Sequence, residues 1–241
     1  IKSISLSLEK SEWLGIVGAN GSGKSTFLKG ISRILDAYTG NVYMDGRDIH
    51  HSSTKEIAKK ISVLPQHQKS NLPLTVYELV CLGRSPHKKW WELDFDENDH
   101  SKVERSISLT DMTAFKDKYV DTLSGGQRQR AFLSLALAQD TKTLLLDEPT
   151  TFLDLRYQLQ FLDLLKKINQ EQEISIVTVI HDLNLAARYC DRIAILKDGQ
   201  LLAIDKPRAV LTEELMRKAF QVETCQIETP IGLQICTIKS S

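Results

Sequence analysis

The chain has 241 residues, enough for one α/β domain or two smaller ones. Its 31 basic and 31 acidic residues cancel, which argues against a dedicated nucleic-acid binder and gives no nucleic acid among the expected partners. With 41% hydrophobic and 26% charged residues it is not a disordered chain, and its apolar runs, such as residues 174–180, are too short and broken to span a bilayer. There is no charged-then-apolar leader pattern, so an ordinary cytosolic globular protein is expected. Residue 1 is Ile, and Ile4, Leu6 and Leu8 alternate as in a strand, so the chain is expected to begin inside its first sheet, short of some N-terminal residues.

Residues 14–17 read as a short strand running into a Gly-rich turn. A helix follows over 24–35, with Phe27, Leu28, Ile31, Ile34 and Leu35 at helical spacing. Residues 41–44 and 61–64 read as strands. From 66 to 139 no strand is expected. Helices are predicted over 75–84, 96–109 and 127–139, with Trp90 and Trp91 opening a polar stretch between the first two. A strand over 143–146, an amphipathic helix over 155–168 and a strand over 174–180 come next. They are followed by a helix over 182–189 capped by Asp182, then strands over 192–196 and 200–204 joined at Lys197-Asp198-Gly199. The alternation implies a mostly parallel sheet covered by helices, with 66–139 as a helical insertion. The expected organisation is an α/β core over 1–65 and 140–212, a helical subdomain over 66–139 and a C-terminal extension over 213–241.

Cys81, Cys190, Cys225 and Cys236 form no Cys-x-x-Cys pair. They are expected to be small apolar filler in a reducing compartment rather than a disulfide framework or a zinc site.

Two segments carry chemistry. Gly18-Ala19-Asn20-Gly21-Ser22-Gly23-Lys24-Ser25, followed by Thr26, fits G-x-x-x-x-G-K-[ST] between a strand and a helix. Glycines let backbone N–H groups converge on phosphate oxygens, and the helix adds its positive N-terminus. Lys24 can reach the β- and γ-phosphates and the Ser25 hydroxyl can ligate Mg²⁺, so ATP and Mg²⁺ are the expected ligands. The strand over 143–146 ends in Asp147-Glu148-Pro149. At the carboxyl end of a parallel strand, Asp147 would approach Mg²⁺, through water, and Glu148 would polarise or deprotonate an attacking water.

Leu123-Ser124-Gly125-Gly126-Gln127 precedes the acidic strand. With this motif the chain resembles the nucleotide-binding subunits of ATP-binding cassette (ABC) transporters, over essentially its whole length. The resemblance implies a P-loop NTPase core with an antiparallel β portion and an inserted helical subdomain. It implies that Ser124, Gly125, Gly126 and Gln127 of a second copy close on the γ-phosphate, giving a head-to-tail ATP-sandwich homodimer. It assigns Gln66 to Mg²⁺ or the attacking water, His181 to the γ-phosphate, and Asp154, in Thr150-Thr151-Phe152-Leu153-Asp154, to communication across the dimer. Asp154 can equally be a helix cap. The family's adenine-stacking aromatic would lie upstream of this chain; Trp13 is read as packing.

Leu82-Gly83-Arg84-Ser85-Pro86-His87, the Glu148–Asp154 segment and the segment from Leu211 to Phe220 resemble the subgroup that imports ferric siderophores, haem or cobalamin. The implied role is the ATPase of a ferric siderophore importer, peripheral on the cytoplasmic face of the membrane, bound to permease subunits and served indirectly by a substrate-binding protein. Leu72, Pro73, Leu74, Val76 and Leu79 are the candidate permease groove. The alternatives are haem or cobalamin import, a soluble ABC ATPase acting on DNA or ribosomes, and a phosphotransferase.

Overall fold

The computed structural model describes residues 1–2, 4–35, 39–66, 73–89, 94–151 and 153–240. β1 (Trp13–Val17) leads through the Gly-rich loop into α1 (Lys24–Ile31). A two-residue ladder, β2 (Tyr43–Met44) with β3 (Arg47–Asp48), precedes α2 (Thr54–Ala58) and β4 (Ile61–Leu64). Then come α3 (Val76–Cys81), α4 (Glu97–Leu109) and α5 (Gly125–Ala138), with no strand between them among the described residues. β5 (Thr143–Asp147), α6 (Leu155–Gln172), β6 (Ser175–Val179), α7 (Leu183–Tyr189), β7 (Arg192–Lys197) and β8 (Gln200–Asp205) complete the core. The chain closes with α8 (Pro207–Val210), α9 (Glu213–Phe220) and a hairpin of β9 (Val222–Thr229) and β10 (Gly232–Ser240).

The central sheet has the order β4-β5-β6-β1-β7-β8. The first five strands are parallel and β8 is antiparallel on the edge, so the fold is the expected mostly parallel α/β type. Strand alternation divides the side chains between two faces. Trp13, Val17, Leu144, Leu146 and Ile176 pack with Phe161, Leu165 and Ile168 of α6 on one face. Leu14, Ile16, Leu145, Val177 and Val179 pack with Phe27 and Leu28 of α1 on the other. Trp13 is fully buried, and its indole N–H donates to Thr178 Oγ1 at 3.1 Å, so it is a packing residue as read.

The register sets the site. Leu64 lies opposite Leu146, Asp147 opposite Val179, and Ile16 opposite Val179. Four parallel strands therefore end level, and the residues that follow them emerge along one rim of the sheet.

A third cluster, made by Val76, Leu79, Val80, Val103, Ile107, Met112 and Ala131, sits between α3, α4 and α5. Gly83 lets this bundle close, because a Cβ there would lie 2.3 Å from the Leu135 carbonyl oxygen. Arg84, 3% exposed, donates from Nε to Asp99 Oδ1 at 2.8 Å and from Nη1 to the Ala138 carbonyl at 2.7 Å. Lys88 pairs with the second Asp99 oxygen, and His87 Nε2 donates to the Gln139 carbonyl at 2.8 Å. Burial pushes the Asp99 carboxyl up, but its bonds to Lys88 and Arg84 outweigh that and hold it at about 2. The Gly-Arg-Ser-Pro-His segment thus ties α3, α4 and the end of α5 together.

Several expectations are corrected. Ile4, Leu6 and Leu8 do alternate inward, packing on the second face, but no ladder forms there. α1 stops at Ile31, and Ile34 and Leu35 are exposed; Ser32 caps the helix and Arg33 turns to φ 56°. The strand expected over 41–44 is reduced to Tyr43–Met44. Val76 and Leu79 belong to the helical cluster and so cannot line a groove; Leu74 packs against that cluster, which leaves Pro73 exposed. Leu72, Trp90, Trp91 and Phe152 lie outside the described residues. Cys81 and Cys190 are buried filler as read, whereas Cys225 and Cys236 are exposed. The C-terminal extension contains a hairpin that periodicity did not reveal, because both of its strands are mostly solvent-facing.

Candidate nucleotide site

The phosphate loop, 18–25, leaves β1 at the middle of the rim. Gly18 sits where a Cβ would lie 2.3 Å from the Leu196 carbonyl, so only glycine fits against β7. Gly21 and Gly23 have φ of 79° and 98°, the left-handed region that glycine enters without steric cost. Gly23 is the N-cap of α1 and offers no side chain to satisfy the first N–H groups. Those donors, with the buried Ser22 Oγ that has no partner, form a cradle suited to an anion. Lys24 is almost fully buried and folds back, Nζ donating to the Gly18 carbonyl at 2.9 Å and the Ala19 carbonyl at 3.1 Å. Burial holds its pKa below the ordinary lysine value, against the pull of Glu148 and Asp147. An ammonium that has lost water is a strong receptor for phosphate oxygens.

Ser25, in the first turn of α1, donates from Oγ to Asp147 Oδ1 at 2.9 Å. Ser25 and Asp147 are therefore adjacent, although they come from the first turn of α1 and from the end of β5. Among the described residues no cluster of three His, Cys, Asp or Glu exists. A hydroxyl and one carboxylate are a sparse, hard-oxygen set, which fits Mg²⁺ with its retained waters and phosphate ligands rather than a metal needing a full protein cage.

Glu148 follows Asp147 at φ 50°, a left-handed conformation that is strained for glutamate. The turn brings its carboxylate among three donors. His181 Nε2, after β6, reaches Oε1 at 2.6 Å. Gln66 Nε2, after β4, donates to Oε2 at 2.6 Å, and Thr151 Oγ1 approaches the same oxygen at 3.2 Å. Gln66, Glu148 and His181 are thus brought together from three neighbouring strand ends. Thr151 is the member that motif reading passed over: its spacing of three from Glu148, across a tight turn, was the available signal.

Among the described residues, the Ser124 segment makes no hydrogen bond to the phosphate loop of its own chain. Ser124 caps α5, accepting from the Gln127 N–H at 3.4 Å while Gln127 Oε1 accepts from the Ser124 N–H at 3.1 Å. Its hydroxyl proton stays free to donate outward. Gly125 faces open space, and Gly126 lies beside the Tyr157 ring. Asp154 is the N-cap of α6, accepting from the Tyr157 N–H at 3.0 Å. Leu155 and Tyr157, just behind it, are 69% and 48% exposed.

With this rim in place, comparison with known proteins is decisive. The profile of the ABC transporter family matches residues 1–151. The chain belongs to the ABC transporter family. It is 42% identical to the petrobactin import ATP-binding protein FpuD of Bacillus anthracis, over 98% of this chain and 86% of that protein. A solved inward-facing metal-chelate type ABC transporter matches with a TM-score of 0.84 at 26% identity, over 99% of this chain and 91% of that one. A solved dimeric bacterial ABC transporter cassette matches with a TM-score of 0.73 at 32% identity, over 86% and 90% of the two chains. As an ABC family member the chain is an ATPase of the P-loop class, and dimers of such cassettes are seen among its structural neighbours.

Proposed function

We propose that this chain is the ATP-hydrolysing subunit of an importer of ferric siderophores, peripheral on the cytoplasmic face of the membrane and bound to permease subunits that supply the spans. No helix of the described residues is long and apolar enough to cross a membrane; in this reading the partners supply the translocation path. The single observation that carries the hydrolytic part is the Glu148 carboxylate, held by Gln66, His181 and Thr151 on the rim that carries the phosphate loop. The import part rests on likeness to FpuD and to the metal-chelate transporter.

In this reading the backbone N–H groups of residues 18–25 and Lys24 receive the phosphates. Lys24 would give up its two carbonyl contacts to do so. Ser25, Asp147 and Gln66 would hold Mg²⁺, which would supply positive charge against the phosphate oxygens. Glu148 takes a proton from, or orients, the attacking water once Gln66 releases its oxygen; His181 then donates to the γ-phosphate. Ser124, Gly125, Gly126 and Gln127 of a second copy close the site, and the exposed Leu155 and Tyr157 give that copy an apolar surface to cover. Asp154, at the head of α6 on that surface, links the two sites.

The test is uptake of labelled ferric chelates, haem and cobalamin by cells carrying the wild-type chain, the Glu148→Gln variant or neither. Glu148→Gln should bind ATP, accumulate as a dimer and lose at least about a hundredfold in turnover. Uptake of one ferric chelate should follow turnover. Haem or cobalamin uptake instead would move the substrate class, and normal hydrolysis by Glu148→Gln would remove Glu148 from its role.

A further inference from the structure

Cys225 and Cys236 stand on either side of the Pro230-Ile231 turn, far apart in the sequence pattern but directly opposite in the β9–β10 ladder. Their neighbours fix which way they face. Thr224 and Ile235 are buried, so the alternation of each strand turns both cysteines outward, and both are free and exposed. The Glu223–Lys239 ion pair and the Ile227 and Gln234 side chains flank them on the same face.

The hydrogen bonds of Ile235 define the pairing type. Its N–H donates to Asn184 Oδ1 at 2.6 Å, and its carbonyl accepts from Asn184 Nδ2 at 3.3 Å. Ile235 therefore turns its backbone away from β9, and the next residue, Cys236, exchanges both ladder bonds with Cys225. Cα atoms of such a pair lie about 5.5 Å apart, inside the Cα range of a disulfide, but the Cβ atoms must draw in to about 3.8 Å, so a bridge here bends the ladder and is readily reopened by reduction. Two thiols on one face at that separation, both open to solvent, are a pair rather than two incidental cysteines.

We propose that Cys225 and Cys236 are a reversible thiol–disulfide pair that closes by exchange with a low-molecular-weight disulfide. One protein thiolate attacks a sulfur of the small disulfide, forming a mixed disulfide and expelling one small thiolate. The opposite cysteine, as thiolate, attacks the protein-side sulfur of that mixed disulfide and expels the second small thiolate. Two protein thiols are oxidised, one small disulfide is reduced to two thiols, and the two protons lost from the cysteines are taken up by the leaving thiolates. The second step is intramolecular between groups already facing each other, so it outruns accumulation of the mixed adduct. An exposed bridge is also open to attack by excess small thiol, which returns the dithiol.

The full chain is equilibrated with mixtures of oxidised and reduced glutathione, trapped, and read by intact mass and peptide mapping. The expected product is a chain lighter by two hydrogens with a peptide linking Cys225 to Cys236, leaving two of its four thiols, and restored by excess reduced glutathione. Cys225→Ser and Cys236→Ser should each carry one lasting glutathione adduct in place of the bridge. A wild-type chain that carries two glutathione adducts, links to a second chain, or does not react overturns the proposal.

Discussion

At the residue scale, Glu148 is held more closely than a solvated acid at a strand end would be. Its φ of 50° and its three donors fix the carboxylate before any ligand arrives. Thr151 is the donor whose role can be isolated, since it belongs to no phosphate-binding motif. It shares its hydroxyl between the Glu148 carbonyl and Oε2, each at 3.2 Å. Thr151→Val keeps the shape and removes the donor. It should lower kcat about three- to tenfold and leave the KM for ATP unchanged, because the bond orients the base and does not bind nucleotide. Thr151→Ser should recover the rate; a steady-state comparison of the three proteins decides it, and a rise in KM alone would make Thr151 a nucleotide-binding residue instead. The family resemblance pointed to His181, and motif reading pointed to Lys24, Ser25, Asp147 and Glu148 because backbone geometry and phosphate chemistry tie those residue types to fixed spacings. It could not reach the resting contacts of Lys24 with Gly18 and Ala19, nor Thr151, since those depend on how a loop closes on itself.

At the element scale, the helices α3, α4 and α5 depend on a buried charge cluster. Arg84 and Asp99 are 3% and 2% exposed, so their pairing is shielded from solvent screening. A carboxyl held at about 2 against its ordinary 3.8 contributes about 2 kcal/mol. The sign follows from a folded pKa that lies below the unfolded one. The contribution is whole above about pH 4 and is lost as pH falls toward 2. Asp99→Asn leaves Arg84 buried without its counter-charge and should cost about 3–5 kcal/mol. Urea unfolding at neutral pH measures that loss; unfolding between pH 4 and 2 should show a flatter acid limb in the variant. An unchanged midpoint would mean that the Ala138 carbonyl and a neutral amide oxygen satisfy Arg84 without a counter-charge. Here the sequence was read for class and not for structure: Gly-Arg-Ser-Pro-His looked like a subgroup mark, and its packing role depends on Asp99, Ala138 and Gln139, distant in the chain. The strands of the sheet were legible because apolar runs bounded by turns leave little choice. The unpaired segment at Ile4, Leu6 and Leu8 was not, because alternation specifies which side chains face inward but not whether a neighbouring strand is present.

At the scale of the whole molecule, the phosphate loop and the Ser124 segment are two half-sites in search of each other. Within one chain the Ser124 hydroxyl accepts only its own helix-cap bond, Gly125 faces open space, and the exposed Tyr157 ring lies beside Gly126. A head-to-tail pairing makes a definite prediction for mixed proteins. Lys24→Ala damages the phosphate loop, Ser124→Arg blocks the opposing face, and each variant alone should be inactive as a homodimer. In an equal mixture the heterodimer has one site built from two damaged halves and one built from two intact halves. ATP hydrolysis should therefore reappear in the mixture, at about a quarter of the wild-type rate if the sites act independently and chains pair at random. The rate should rise steeply with total protein concentration, since the competent species is bimolecular. A mixture as inactive as its components would place each Ser124 against the phosphate loop of its own chain, or require both sites to fire together. Nucleotide trapping by the same mixture separates those outcomes: a two-site requirement still traps one ATP per heterodimer, whereas a site confined to a single chain traps no more than the variants do alone.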